Sequence, residues 1–199
     1  MDENVAEKTE TKVADAYEAA RAWRDAGQTP TEIARVLHTP LPDGGWDLPV
    51  GQVARVLFHA YGLDLSAGQV AQALYASEGL DLMAAQVARV LYAPEGLNLP
   101  AGQVARVLYL PSGLDLTAAQ VARALYASEG LDLMAAQVAR VLCAEGLDLP
   151  AGQVARVLYA PEGLDLTARR VARVLYAEDG LDLSAEQVAR VMGASHELQ

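Results

Sequence analysis

Residues 79–99 read GLDLMAAQVARVLYAPEGLNL. One short amphipathic phrase lies between two copies of one turn, GLDL and GLNL. At 100° per residue, Val87, Val90 and Leu91 fall on a single stripe with the small Ala84 and Ala88. Leu80 and Leu82 extend that stripe from the turn, and Arg89 falls opposite. The turn signals limit the helix to about ten to twelve residues. A helix of that length is marginal alone in water, so it needs neighbours on its apolar face.

The neighbours are copies of itself. The turn starts at Gly45, Gly62, Gly79, Gly96, Gly113, Gly130, Gly146, Gly163 and Gly180, a period of 17 residues with one interval of 16 after Gly130. The residue that follows each turn has a slower rhythm. It runs Pro49, Ser66, Met83, then Pro100, Thr117, Met134, then Pro150, Thr167, Ser184. The larger unit is therefore three helices, about 51 residues, present three times. The string ALYASEGLDLMAAQVARVL occurs at Ala73 and again at Ala124. Repeats of this kind cover one another in turn. The prediction is an all-α superhelical solenoid, of either hand, with nine to ten short helices.

Start and stop signals support each helix. Ser66 with Gln69, and Thr117 with Gln120, have capping-box spacing, and Leu65 and Val70 are placed for a hydrophobic staple. Met83 and Met134 lack a capping oxygen, so the upstream Asp is expected to serve there. Pro49, Pro100 and Pro150 are expected in the first turn. Gly79 and Gly96 suit a left-handed position just past the helix. Pro94, Pro111 and Pro161 push the preceding residue out of the helical region.

Domain limits follow. Residues 1–44 hold a longer helix over 13–26, carrying Tyr17 and Trp23, and a degenerate tenth copy, TPTEIARVLH, with its own capping box at Thr29 and Glu32. The longer helix is a natural cap for the first exposed repeat face. Residues 45–195 hold the nine repeats, and 196–199 form a polar tail that suits the other end. The missing residue after Cys143 is expected to bend the stack.

Composition excludes several classes. The chain has 199 residues, 52% hydrophobic, with a formal net charge of −11. No apolar run approaches the ~20 residues of a membrane helix. The start, MDENVAEKTETK, is too acidic and polar for a signal peptide. A soluble, cytoplasmic protein is expected. Cys143 is the only cysteine and stands where sister repeats carry Tyr, a packing substitution rather than a nucleophile. His38, His59 and His196 are scattered, with no metal-ligand spacing. Near-identical repeats offer the same surroundings again and again, whereas a catalytic site needs unlike groups converging. No enzyme and no cofactor are expected.

Two ladders remain. One Arg recurs per helix, at Arg55, Arg89, Arg106, Arg123, Arg140, Arg156, Arg173 and Arg190, with Gln72 in one copy. Pairing with the turn Asp of a neighbouring repeat would make this ladder structural. A second reading interleaves Arg89, Arg106, Arg123, Arg140, Arg156 and Arg173 with Tyr75, Tyr92, Tyr109, Tyr126, Tyr159 and Tyr176. Such a groove would hold an aromatic or anionic ligand by stacking and cation–π contact. The Gln ladder is the far half of the capping boxes. Where it becomes Arg170, beside Arg169 and Arg173, a local basic spot forms.

The phrase LTAAQVARAL, from Leu116, resembles the opening of the DNA-reading repeats of transcription activator-like effectors, which start with a Leu-Thr-Pro-x-Gln-Val run. The likeness covers Leu116–Val121 and sister stretches, under half of each repeat. Here the repeat is half as long, no base-reading loop has a counterpart, and the net charge is negative. IARVL and QVARVL also resemble the first helix of a helix–turn–helix unit, without a recognition helix. The broader likeness is to α-helical tandem-repeat proteins, which implies an architecture and not an activity.

The expectation is a non-enzymatic binding protein. Its superhelical groove would hold or sequester a bulky aromatic small molecule or a peptide segment. The alternative is an acidic DNA mimic or scaffold that occupies a DNA-binding protein; it requires turn carboxylates that are outward and unpaired. A third reading is direct nucleic-acid binding through the Arg/Tyr ladder, with affinity falling steeply in salt.

Overall fold

The computed structural model describes residues 3–196, and the side-chain surroundings of residues 12–193. The elements are α1 (Glu3–Asp25), α2 (Pro30–His38), α3 (Val50–Phe58), α4 (Ala67–Tyr75), α5 (Ala84–Tyr92), α6 (Ala101–Tyr109), α7 (Ala118–Tyr126), α8 (Ala135–Arg140), α9 (Ala151–Tyr159), α10 (Ala168–Tyr176) and α11 (Ala185–His196). A 3₁₀ turn at Leu41–Asp43 lies in the first connection, and a π-helical turn at Val141–Glu145 continues α8. Among the described residues there is no strand. The predicted all-α repeat architecture is therefore the observed one. The tail beyond His196 lies outside the described residues.

The regular repeat helices are nine residues long, shorter than the spacing predicts, because the chain turns extended directly after the tyrosine. Ala93, for example, has φ −65° and ψ 146°. Capping at the start follows the sequence closely. Gln69 accepts from the backbone N–H of Ser66 at 3.0 Å while the Ser66 hydroxyl accepts from Gln69 at 3.3 Å. Thr117 and Gln120 repeat this. At Met83 and Met134 only the returning half exists: Gln86 and Gln137 accept from the methionine N–H at 2.9 and 2.8 Å. The glutamine takes only the methionine N–H, and no side chain, the upstream Asp included, supplies the capping oxygen there. Pro49, Pro100 and Pro150 stand at the N-cap itself rather than inside the first turn. Proline has no N–H for a glutamine to reach, and after Pro49 the Gln52 Oε1 is buried without a partner.

The turn corrects one expectation. No turn glycine from Gly45 onward is left-handed. The left-handed residue is the one two positions on: Asp47, Asp64, Asp81, Asn98, Asp115, Asp132, Asp148, Asp165 and Asp182 all have φ between 51° and 54°. Asp and Asn tolerate this region best among residues with a side chain. The glycine is needed for space. A Cβ on Gly96 would stand 2.8 Å from the carbonyl carbon of Val90, and closer still to its oxygen. That close approach lets Leu97 and Leu99 donate back to Val90 and Leu91 at 3.1 and 2.9 Å, closing the helix end.

Packing is local and repetitive. From α2 onward each helix packs on the next and on the next but one. One leucine per helix, such as Leu57, Leu74, Leu91, Leu108, Leu125 and Leu142, is fully buried, and no buried residue is polar or charged among those described. The first face is sealed by α1, which starts ten residues earlier than the helix predicted from residue 13. Its Ala16 and Ala20 are buried, and Trp23 meets Trp46 edge-on with ring centroids 6.0 Å apart. Burial raises the Tyr17 pKa above its ordinary value, with nearby Arg55 opposing. The far face is less covered. Val188, Val191 and Met192 are only partly buried, where Val104 and Leu108 of α6 are wholly so. One period past Gly180 is position 197, occupied by Glu. α11 runs on through His196, twelve residues against nine in the regular repeats.

The short interval is absorbed inside the helix. At Val141–Glu145 the backbone widens to a π-turn, and the usual extended residue is lost. Leu149 still donates to Leu142 at 2.9 Å, while the Leu147–Val141 bond stretches to 3.4 Å. Arg140 bonds Glu145 at 2.8 Å across the widened turn.

Candidate functional site

The tyrosines end their helices and stay partly open. Tyr75, Tyr92, Tyr126 and Tyr159 are 36–41% exposed, Tyr176 reaches 62%, and Tyr109 packs on the core. Apolar atoms below and water above is the arrangement expected of an aromatic contact surface.

The arginines divide into three kinds. Arg106 Nε donates to the carbonyl of Gly146 at 2.7 Å, and Arg123 Nε to that of Gly163 at 2.9 Å, with a second bond from Arg123 Nη2 to Pro161. Arg55 does the same to Gly96 and Pro94, and Gln72 reproduces the bond to Gly113 at 2.8 Å. These acceptors are turn carbonyls some 40 residues downstream, which otherwise lack partners. Arg140 is taken by Glu145. The guanidinium groups of Arg89, Arg156 and Arg173 have no hydrogen bond or ion pair among the described residues.

Part of the ladder, with Arg55, Arg106, Arg123 and Gln72, is thus structural, but not by pairing with the turn Asp. Among the described residues the ion pairs are Arg24–Asp25, Arg140–Glu145 and Arg190–Glu186. In Arg55 and Arg123 the guanidinium fork meets two turn carbonyls, two and four residues before the left-handed residue. The left-handed Asp residues therefore stay exposed and unpaired.

One cleft, of about 460 Å³, gathers part of the predicted set. Tyr75 and Tyr126 border it, Met83 stands at its edge, Ala84, Ala85, Ala124 and Ala127 line it, and Glu129 and Arg123 supply charge. The volume is that of sites for drug-sized molecules. The helices bring Tyr75, Tyr126 and Arg123 together but leave Tyr92, Tyr159 and Arg89 elsewhere. Met83, 59% exposed, joins the site although the sequence marks it only as a cap residue without a capping oxygen. Among the described residues no group of His, Cys, Asp and Glu is placed to hold a metal ion. No helix among them is long and apolar enough to cross a membrane.

No protein-family model, curated protein or solved structure matches the chain.

Proposed function

We propose that this protein is a non-enzymatic binding protein that holds an aromatic small molecule or a peptide segment in the cleft between Tyr75 and Tyr126. The observation that carries this reading is the cleft itself: two half-open aromatic rings and a flexible methionine around alanine walls, at drug-sized volume. Methionine adapts to irregular apolar shapes and makes favourable sulfur–aromatic contacts. Small residues between the rings leave room for a flat ligand to stack. The test is native mass spectrometry of protein isolated gently from its host, beside the Tyr126→Ala variant. A bound mass that the variant loses supports the reading. A bare chain that also fails to bind a panel of aromatic probes refutes it.

A second reading, the acidic mimic, is favoured by the turn carboxylates. They are exposed, recur once per repeat except at Asn98, and the arginines turn to carbonyls instead. A partner with a basic DNA-binding face would be displaced from duplex DNA by this protein. Direct nucleic-acid binding draws less support, because Arg55, Arg106 and Arg123 spend their donors on the fold and the net charge is −11.

A further inference from the structure

The cleft at Tyr75 is not isolated. A second cleft, of about 610 Å³, lies between Tyr126 and Met134, with Glu129 and Asp132 in its wall. A third, of about 550 Å³, lies between Tyr176 and Ser184, with Glu178 and Asp182. Each joins the tyrosine that ends one helix to the capping residue of the next, and the three recur once per three-helix block. Tyr126 and Glu129 border both the first and the second cleft, so these two adjoin. A series of similar subsites suits a ligand that is itself a chain.

The charges select the kind of chain. The second and third clefts each place an open tyrosine face with two carboxylates that have no ion-pair partner. That pair of features suits a cationic side chain, which gains from the ring face and from the carboxylates together. The third cleft has no cation in its lining. The second has Arg170 against two acids, whereas the first balances Arg123 against Glu129 and contributes its aromatic faces rather than net charge. We infer that the groove takes an extended basic peptide segment, with lysine or arginine side chains seated on successive Tyr–carboxylate subsites. This deepens the binding reading above and rests on it.

The experiment is fluorescence anisotropy with fluorescein-labelled dodecalysine at physiological salt, on the full chain. Tyr176→Ala should weaken binding about two- to fivefold, while Tyr176→Phe, which keeps the ring, should not. Asp132→Asn and Asp182→Asn should weaken it too; Asn98 shows that Asn fits this turn. Asp15→Asn with Glu18→Gln, on the distant face of α1, should leave affinity unchanged. Circular dichroism verifies the fold of each variant. Equal losses from the α1 and turn neutralisations, or no loss from Tyr176→Ala, would mean non-specific charge attraction and overturn the proposal. The neutral dye N-phenyl-1-naphthylamine separates the two levels. Dye binding lost in Tyr126→Ala, without peptide binding, sinks the peptide and leaves the binding protein; binding of neither sinks both.

Discussion

The heptapeptide PAGQVAR occurs twice, at 100–106 and at 150–156. Its glycine should respond to alanine with opposite signs at the two sites. A Cβ on Gly102 would stand 2.8 Å from the carbonyl carbon of Glu145, so the 145–146 turn must retreat. Overpacking of this kind costs about 1–3 kcal/mol. The retreat also loosens the 2.7 Å bond from Arg106 to Gly146, and hydrogen bonds to charged groups contribute about 1.5–3 kcal/mol when intact. Alanine returns about 0.5–1 kcal/mol of helix propensity. The net expectation for Gly102→Ala is a loss of about 1–3 kcal/mol. Among the described residues, no atom lies within 4 Å of a Cβ built on Gly152. Only the propensity gain remains there, so Gly152→Ala should stabilise by about 0.5–1 kcal/mol. Thermal melts by circular dichroism, run side by side, decide it, since each kcal/mol moves Tm by about 2–4 °C in a chain of this size. Shifts of the same sign, or within error of each other, would refute the idea that close approach of the downstream turn is what requires glycine.

Three further outcomes follow from the same geometry. Asp132→Val should destabilise by about 1–2 kcal/mol and Asp132→Gly should not, measured by urea titration, because Asp132 holds φ 54°. Inserting Ser between Ala144 and Glu145 should restore the full interval, replace the π-turn with an extended cap, and raise Tm; a lower Tm would show the π-turn to be the preferred state at this site. Hydrogen bonds from the Thr29 backbone and hydroxyl hold the Glu32 carboxyl below its ordinary pKa. A depressed folded pKa gives stability that is present above the unfolded pKa and lost as pH falls through the folded one. Glu32→Gln should therefore flatten the acid side of the stability profile, and an unchanged profile would contradict the assignment.

Much of this protein is local, and for that reason legible. Period, capping boxes and the apolar stripe of Val87, Val90 and Leu91 specify short helices that must stack, and the stacked helices are what the fold contains. These signals act within one repeat, where residue spacing alone fixes which groups can meet. The acceptors of Arg55, Arg106 and Arg123 do not. Arg55 and Gly96 are 41 residues apart, and nothing along the chain distinguishes a carbonyl from the Asp beside it as the partner. The same holds for the turn. Glycine and aspartate both suit a left-handed position, and only the proximity of the Val90 carbonyl assigns space to Gly96 and the strained angle to Asn98. It holds for the cleft as well, because the six tyrosines are equivalent in sequence until folding sets Tyr75 and Tyr126 around one volume. The sequence alone determined the repeat and its helices, since those depend on neighbours within a turn or two. The tertiary structure decided which identical residues differ, because that depends on what the next two helices bring against them.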